Sequence, residues 1–287
     1  MGAGYVRSDV RWSDVMPDVR TPDERAFDWY RGYFKAARDW YGLRPLMVLS
    51  NAPEAFKHLS GTMRMSSWKS YIEAVMSRLG DLCTVYQVFN EPNNPVYRIF
   101  PEAEAEAALG IAAETIRKHN PSSTVIVNLA IDFPKWKEVL TKLLVQAKSA
   151  VNVIAIDYYP GTWSLQVGAN WSSVMNLMAQ AKHPESLWSG HPIAIMETGY
   201  ATNVPTFRNE VQQRVYFENL ERIGRDLDAI LGPALLPIVG IYELCDSDSS
   251  AFLDPEAHFG LLKSNLTHKP AFVAAKRLCS LLNDAES

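Results

Sequence analysis

Val85-Tyr86-Gln87-Val88-Phe89-Asn90-Glu91-Pro92-Asn93 is an apolar run that stops abruptly at a polar Asn-Glu-Pro. A short run of this kind reads as a buried strand, and the proline that follows ends it. A second run, His191-Pro192-Ile193-Ala194-Ile195-Met196-Glu197-Thr198-Gly199, has the same form. Each reads as a strand covered on both faces that ends by presenting a carboxylate, Glu91 in one and Glu197 in the other.

Working outward, similar apolar runs rich in Val and Ile fall at 5–12, 44–49, 84–90, 124–129, 152–157, 192–197 and 237–243. Segments with helical periodicity separate and follow them, at 26–41, 67–79, 101–119, 136–148, 171–181, 209–231 and 269–282. The serine pair before Trp68 suits a helix cap, and Asn120-Pro121 stops the helix ahead of it. Continuous apolar strands alternating with helices predict a parallel sheet covered by helices, hence an α/β fold. The expected architecture is one domain over 1–287, a TIM-type (β/α) barrel. A closed barrel has eight strands, and the sequence supplies seven. Segments 52–65 and 201–208 are the places an eighth would have to hide, and both read as loops.

Composition narrows the class. The 287 residues are 47% apolar and 21% charged, as in an ordinary globular protein with a large core. A net charge of -4 gives no electrostatic case for nucleic acid or an anionic membrane as partner. Cys83, Cys245 and Cys279 are too scattered for a metal cage or a disulfide framework and read as free thiols, with one bridge as the alternative. Arg7, Asp9 and Arg11 interrupt the first apolar stretch, so no signal peptide is expected in the chain as given, and no window reaches the length of a membrane span. The expectation is a soluble protein, either cytoplasmic or secreted with its leader removed.

Parallel barrel strands bring their C-terminal ends to one face, where residues distant in sequence meet. Two carboxylates on that face are what glycosidic bond cleavage requires: one acid to protonate the leaving oxygen, one carboxylate to attack, about 5–5.5 Å apart in retaining enzymes. Asn90 is suited to hydrogen-bond the sugar 2-hydroxyl. Either glutamate alone also fits a plainer reading, as a turn residue or the first solvated residue after a strand. Trp12 and Trp163 follow strands and are candidate stacking platforms for a pyranose ring, whereas Trp29, Trp40, Trp68 and Trp136 lie in helical patterns and read as packing. The six histidines show no metal-ligand spacing, and neither a Gly-rich phosphate loop nor a Gly-x-Ser-x-Gly elbow occurs. Asp246 and Asp248 fit a cation site or, more simply, a solvated loop.

In series, these stretches resemble the clan A retaining glycoside hydrolases: cellulases, β-xylosidases, β-mannanases and endo-galactanases. Tyr5-Val6-Arg7-Ser8-Asp9-Val10-Arg11-Trp12 resembles the clan's second strand, Asn90-Glu91-Pro92 its fourth-strand motif and Asp157-Tyr158-Tyr159-Pro160 its sixth strand. Glu197-Thr198-Gly199 resembles the seventh-strand motif. Ile241-Tyr242-Glu243-Leu244, with His258-Phe259-Gly260-Leu261 and Lys269-Pro270-Ala271, resembles the eighth strand and closing helix. The resemblance implies Glu91 as acid/base, Glu197 as nucleophile, Asn90 at the 2-hydroxyl, Arg7 beneath Glu197 holding it ionised and Tyr159 donating a hydrogen bond to Glu197. The eighth strand of many members ends in a tryptophan platform, whereas this one ends Tyr242-Glu243, and Glu243 counts as a substrate contact.

The resemblance further implies no metal or organic cofactor, and an oligosaccharide, polysaccharide or aryl β-glycoside as substrate. Both glutamates fall one strand early against the clan's order, so the first βα unit is the one expected to be missing. The strand edges this exposes invite pairing with another chain, making a homo-oligomer an expectation. Two rival readings remain: a sugar-binding pseudoenzyme and an oligomeric barrel scaffold.

Overall fold

The structure, a computed structural model, describes residues 1–163, 171–231, 238–248 and 254–284. Contacts divide the chain into two compact units: Gly4–Ala155, and Ile156–Ser287 with Met1–Ala3.

The first unit holds β1 (Tyr5–Arg11), β2 (Arg44–Ser50), β3 (Val85–Val88), β4 (Thr124–Ala130) and the start of β5 (Val153–Asp157). Strands β1 to β4 pair in sequence order, all parallel, with Arg7 opposite Leu46, Leu46 opposite Val85 and Val85 opposite Thr124. β3 is buried throughout, and β2 and β4 are buried beyond their first residues, as continuous Val/Ile/Leu runs require. Its helices are α1 (Trp12–Val15), α2 (Glu24–Tyr41), α3 (Gly61–Leu79), α4 (Glu102–His119) and α5 (Trp136–Leu144). In α2, Phe27, Tyr30, Phe34 and Ala37 make one buried stripe. Asp23 caps the helix by accepting from the Arg25 and Ala26 N–H groups, and Gly42 closes it at φ 65°.

The second unit carries the end of β5, then α6 (Ser172–Lys182), β6 (Ile193–Thr198), α7 (Glu210–Leu231), β7 (Val239–Ile241) and α8 (Ala271–Asp284). β6 and β7 are parallel, with Ile195 opposite Val239 and Thr198 opposite Ile241. Gly199 and Gly240 make this approach feasible: a Cβ on Gly199 would lie 2.0 Å from the Tyr242 carbonyl oxygen, and one on Gly240 2.0 Å from that of Met196. Glu221 of α7 accepts from Arg225 and from Arg277 of α8, tying the two helices together.

All seven expected strands are present, shorter at several ends; the last covers Val239–Ile241, and Pro237 lies outside the described residues. Two helical expectations are corrected. α3 opens at Gly61, six positions before Ser67, because Arg64 donates to the Leu59 carbonyl (2.6 Å) and to Glu104 of α4 (2.8 Å); the serine pair lies inside it. α5 stops at Leu144 and leaves a separate 3-10 turn at Lys148–Ala150. Segment 52–65, read as a loop, contains a 3-10 turn at Glu54–His58 and the first residues of α3. The three cysteines are free. Among the described residues no helix is long and apolar enough to cross a membrane.

Candidate active site

In the first unit the β3 run ends in an aromatic anchor. Phe89 stacks on Trp68 at 5.5 Å within a buried cluster that includes Trp12, Phe56, Tyr71 and Phe100. Phe89 (φ 69°) and Glu91 (φ 43°) both adopt the left-handed conformation, a strain of order 1–3 kcal/mol per non-glycine residue that the surrounding structure must hold. With Phe89 locked into the cluster, this double reversal turns Asn90 and Glu91 off the strand.

What holds them is a set of amides. Asn128, buried near the end of β4, accepts the Glu91 N–H at 2.9 Å and donates from its amide nitrogen to Asn90 Oδ1 at 3.2 Å. Asn93 clasps Ala130 through both its amide groups (2.8 and 3.0 Å). Asn94 donates to Glu91 Oε2 at 2.7 Å, fixing a carboxylate that is itself buried. Arg7 donates from Nε to Gln87 Oε1 and from Nη2 to Asn90 Oδ1, each at 2.9 Å.

In the second unit, Glu197 sits next to the end of β6. Its carbonyl accepts the Tyr158 N–H (3.0 Å), and its Oε2 accepts the Tyr159 hydroxyl at 2.6 Å. Thr198 beside it bonds the Tyr158 carbonyl (2.7 Å) and the Tyr216 hydroxyl, so the residue that follows Glu197 is pinned. The Tyr159 ring packs on Phe259 (5.2 Å) and edge-on to Tyr242 (6.1 Å).

Two further carboxyls share this neighbourhood. Glu256 accepts the Tyr242 hydroxyl at 3.2 Å. Burial, and then the Glu197 and Asp254 charges, push its pKa up. Glu243 is pushed up to about 7 by burial first and then by the Asp246 and Glu256 charges, against the Lys269 ammonium. Burial with the two neighbouring carboxylates also raises the Tyr242 phenol. Lys269 Nζ donates to Asp246 Oδ1 (2.7 Å), Thr202 Oγ1 (2.9 Å) and the His258 carbonyl (3.2 Å), joining the loops after β6 and β7.

The expected site residues therefore fall into two groups. Asn90, Glu91 and Arg7 meet in one unit; Tyr159, Glu197 and Glu243 gather in the other, where Trp163 rests against Phe259 and stays 47% exposed. Trp12 is a correction. It is 0% exposed and stacks on Tyr71 at 5.0 Å, so it is core and offers no face to a sugar; the chain enters α1 at this residue and the ring turns inward. Asp246 is corrected too: it is buried against Lys269, and neither a solvated loop residue nor an open cation ligand. Gln87, Asn94, Asn128 and Glu256 were missed. Gln87 and Asn128 did leave a signal, each being a single amide inside an apolar strand run.

Compared by sequence, the chain matches no family profile and no curated protein. Compared by structure, it is similar to many glycoside hydrolases. A family 39 glycoside hydrolase from the gut symbiont Bacteroides cellulosilyticus matches with a TM-score of 0.70 at 18% identity over 98% of this chain. This chain spans 59% of that protein's length, less than two thirds. The GH5_18 protein from Bifidobacterium longum, solved with Manβ1-4GlcNAc, matches with a TM-score of 0.73 at 14% identity, over 100% of this chain and 70% of that one. A psychrophilic family 10 endo-β-1,4-xylanase matches with a TM-score of 0.70 at 17% identity, over 95% and 88%. The fold is similar to that of these TIM-barrel glycoside hydrolases, with seven parallel strands among the described residues where a closed barrel has eight.

Proposed function

We propose that this chain is a retaining β-glycoside hydrolase acting on oligosaccharides, polysaccharides or aryl β-glycosides through Glu91 and Glu197. In the first step Glu197 attacks the anomeric carbon while Glu91 gives its proton to the departing oxygen, leaving a glycosyl ester on Glu197. In the second, Glu91 takes a proton from water as the water oxygen attacks the same carbon, and Glu197 departs as a carboxylate.

The observation that carries this reading is the 2.6 Å hydrogen bond from the Tyr159 hydroxyl to Glu197 Oε2. A phenol donating to one oxygen of a carboxylate holds that side chain in a single orientation, as a nucleophile requires. The shared fold supports it, because strand ends are where TIM-barrel enzymes carry their chemistry. Asn90 serves the sugar 2-hydroxyl, Arg7 supplies the cation of the site, and Glu243 and Trp163 contribute to sugar binding. A panel of 4-nitrophenyl β-glycosides, with the first-formed anomer followed by proton NMR, tests the reading. Release of the β anomer is expected. A first-formed α anomer means inversion, and oligosaccharide binding without turnover means a sugar-binding protein on a glycosidase scaffold.

A further inference from the structure

The amides around Asn90 have an order that rigid groups impose. Arg7 has only donors to offer, so the Gln87 oxygen must be the end that faces its Nε. The Phe89 carbonyl can only accept, and Gln87 Nε2 meets it at 2.8 Å, which fixes the same orientation independently. Gln87 Nε2 then also donates to Asn90 Oδ1 at 3.2 Å. On the other side the Glu91 N–H can only donate, so Asn128 turns Oδ1 to it and Nδ2 to Asn90. Three donors, from Arg7, Gln87 and Asn128, thus converge on one oxygen of Asn90. A flipped Asn90 amide would set its own N–H groups against all three. Both N–H groups of Asn90 Nδ2 are left without a protein acceptor among the described residues, on a side chain that keeps partial exposure while Gln87 and Asn128 are completely buried.

We infer that Gln87 and Asn128 are positioning residues that lock Asn90 as a donor toward the substrate, so that the site selects sugars bearing an acceptor oxygen at C2. The inference rests on the glycosidase reading for its substrate and on the hydrogen-bond network for its polarity. A site built to hydrogen-bond one group discriminates strongly against the analogue lacking it, since its buried polar atoms are then left unpaired. Neither residue touches the sugar; each acts through Asn90.

The experiment compares the aryl β-glycoside that the wild-type protein hydrolyses fastest with its 2-deoxy counterpart. The variants are Gln87→Glu, which still accepts from Arg7 and loses the donor to Asn90, and Asn128→Asp, which still accepts the Glu91 N–H and loses the same donor. Both conserve volume, and melting temperature checks that they fold. In each, the kcat/KM deficit of the 2-deoxy substrate relative to the 2-hydroxy substrate is expected to shrink by at least about fivefold. Equal losses on both substrates would mean a purely structural role and overturn the inference while leaving the glycosidase reading intact. Neutron diffraction from D2O-exchanged wild-type crystals gives the second arm: deuterons of Asn90 pointing away from Arg7 and Gln87 support the lock, and deuterons pointing at them overturn it. If the wild-type protein turns over no aryl glycoside, the glycosidase reading fails and the neutron result alone decides the polarity.

Discussion

Replacing Lys269 by methionine should destabilise the second unit severely. Lys269 is 2% exposed and Asp246 is 4% exposed, and the three donors of the ammonium are matched by three acceptors. Methionine keeps the bulk of the stem and removes the charge, so the Asp246 carboxylate stays buried without its cation. Breaking a buried pair in this way costs about 3–5 kcal/mol, a large part of the 5–15 kcal/mol that typically holds a domain together. At roughly 2–4 °C per kcal/mol for a chain of this size, the melting temperature should fall by roughly 6–20 °C. Because the ammonium joins the loops after β6 and β7, the loss should show as earlier proteolysis there. Denaturant unfolding and differential scanning calorimetry measure the effect. The double variant Lys269→Met with Asp246→Leu should recover most of it, since an apolar pair replaces the buried charges. A single variant within about 1 kcal/mol of wild type would refute the reasoning, because surface ion pairs are worth that little.

Three further outcomes follow from the same structure. Glu91→Ala should slow glycosides with poor leaving groups far more than nitrophenyl glycosides, because an activated phenolate departs without protonation, and azide should restore turnover at the second step; equal slowing of both substrates counts against the acid role. Glu243→Gln should raise the melting temperature at pH 8 and leave it unchanged at pH 4. With its folded pKa at about 7, above the ordinary value of about 4.3, stability is greatest below pH 4.3 and is lost as pH rises through 7; a stabilisation that is independent of pH would contradict this. Tyr159→Phe removes the 2.6 Å donor to Glu197 and should lower kcat by about tenfold to a hundredfold with the fold intact, as loss of one charge-assisted hydrogen bond of 1.5–3 kcal/mol implies; unchanged kcat would take the phenol out of the reaction.

Much of the architecture was legible because its signals are local. The Val85–Val88 strand and the Ile193–Thr198 strand lie within or beside their apolar runs, and both glutamates fall where those runs end. Trp12 was misread because following a strand says nothing of direction, and the turn of α1 aims the ring at Tyr71. The first turns of α3 were missed because Gly61 and Thr62 are poor helix formers, and the ion pair of Arg64 with Glu104, remote in sequence, leaves no local signal. Gln87 and Asn128 went unread although each is an amide in an apolar run, because the groups they meet, Arg7 for Gln87 and Asn90 for Asn128, are remote in sequence and no spacing rule names such pairs. Glu256 lies in the short turn Pro255–His258, where no periodicity marks a residue for a site.

The central claim is a covalent intermediate on Glu197, and mass spectrometry of the protein incubated with an activated 2-deoxy-2-fluoro-β-glycoside tests it most directly. The fluorine slows both steps, and a good leaving group restores the first, so the glycosyl ester accumulates. The result expected is a mass gain of one fluoroglycosyl group, located by peptide mapping on the fragment that contains Glu197 and absent from Glu197→Gln. An adduct on another carboxylate, or steady hydrolysis of aryl glycosides with no adduct at all, would contradict the account.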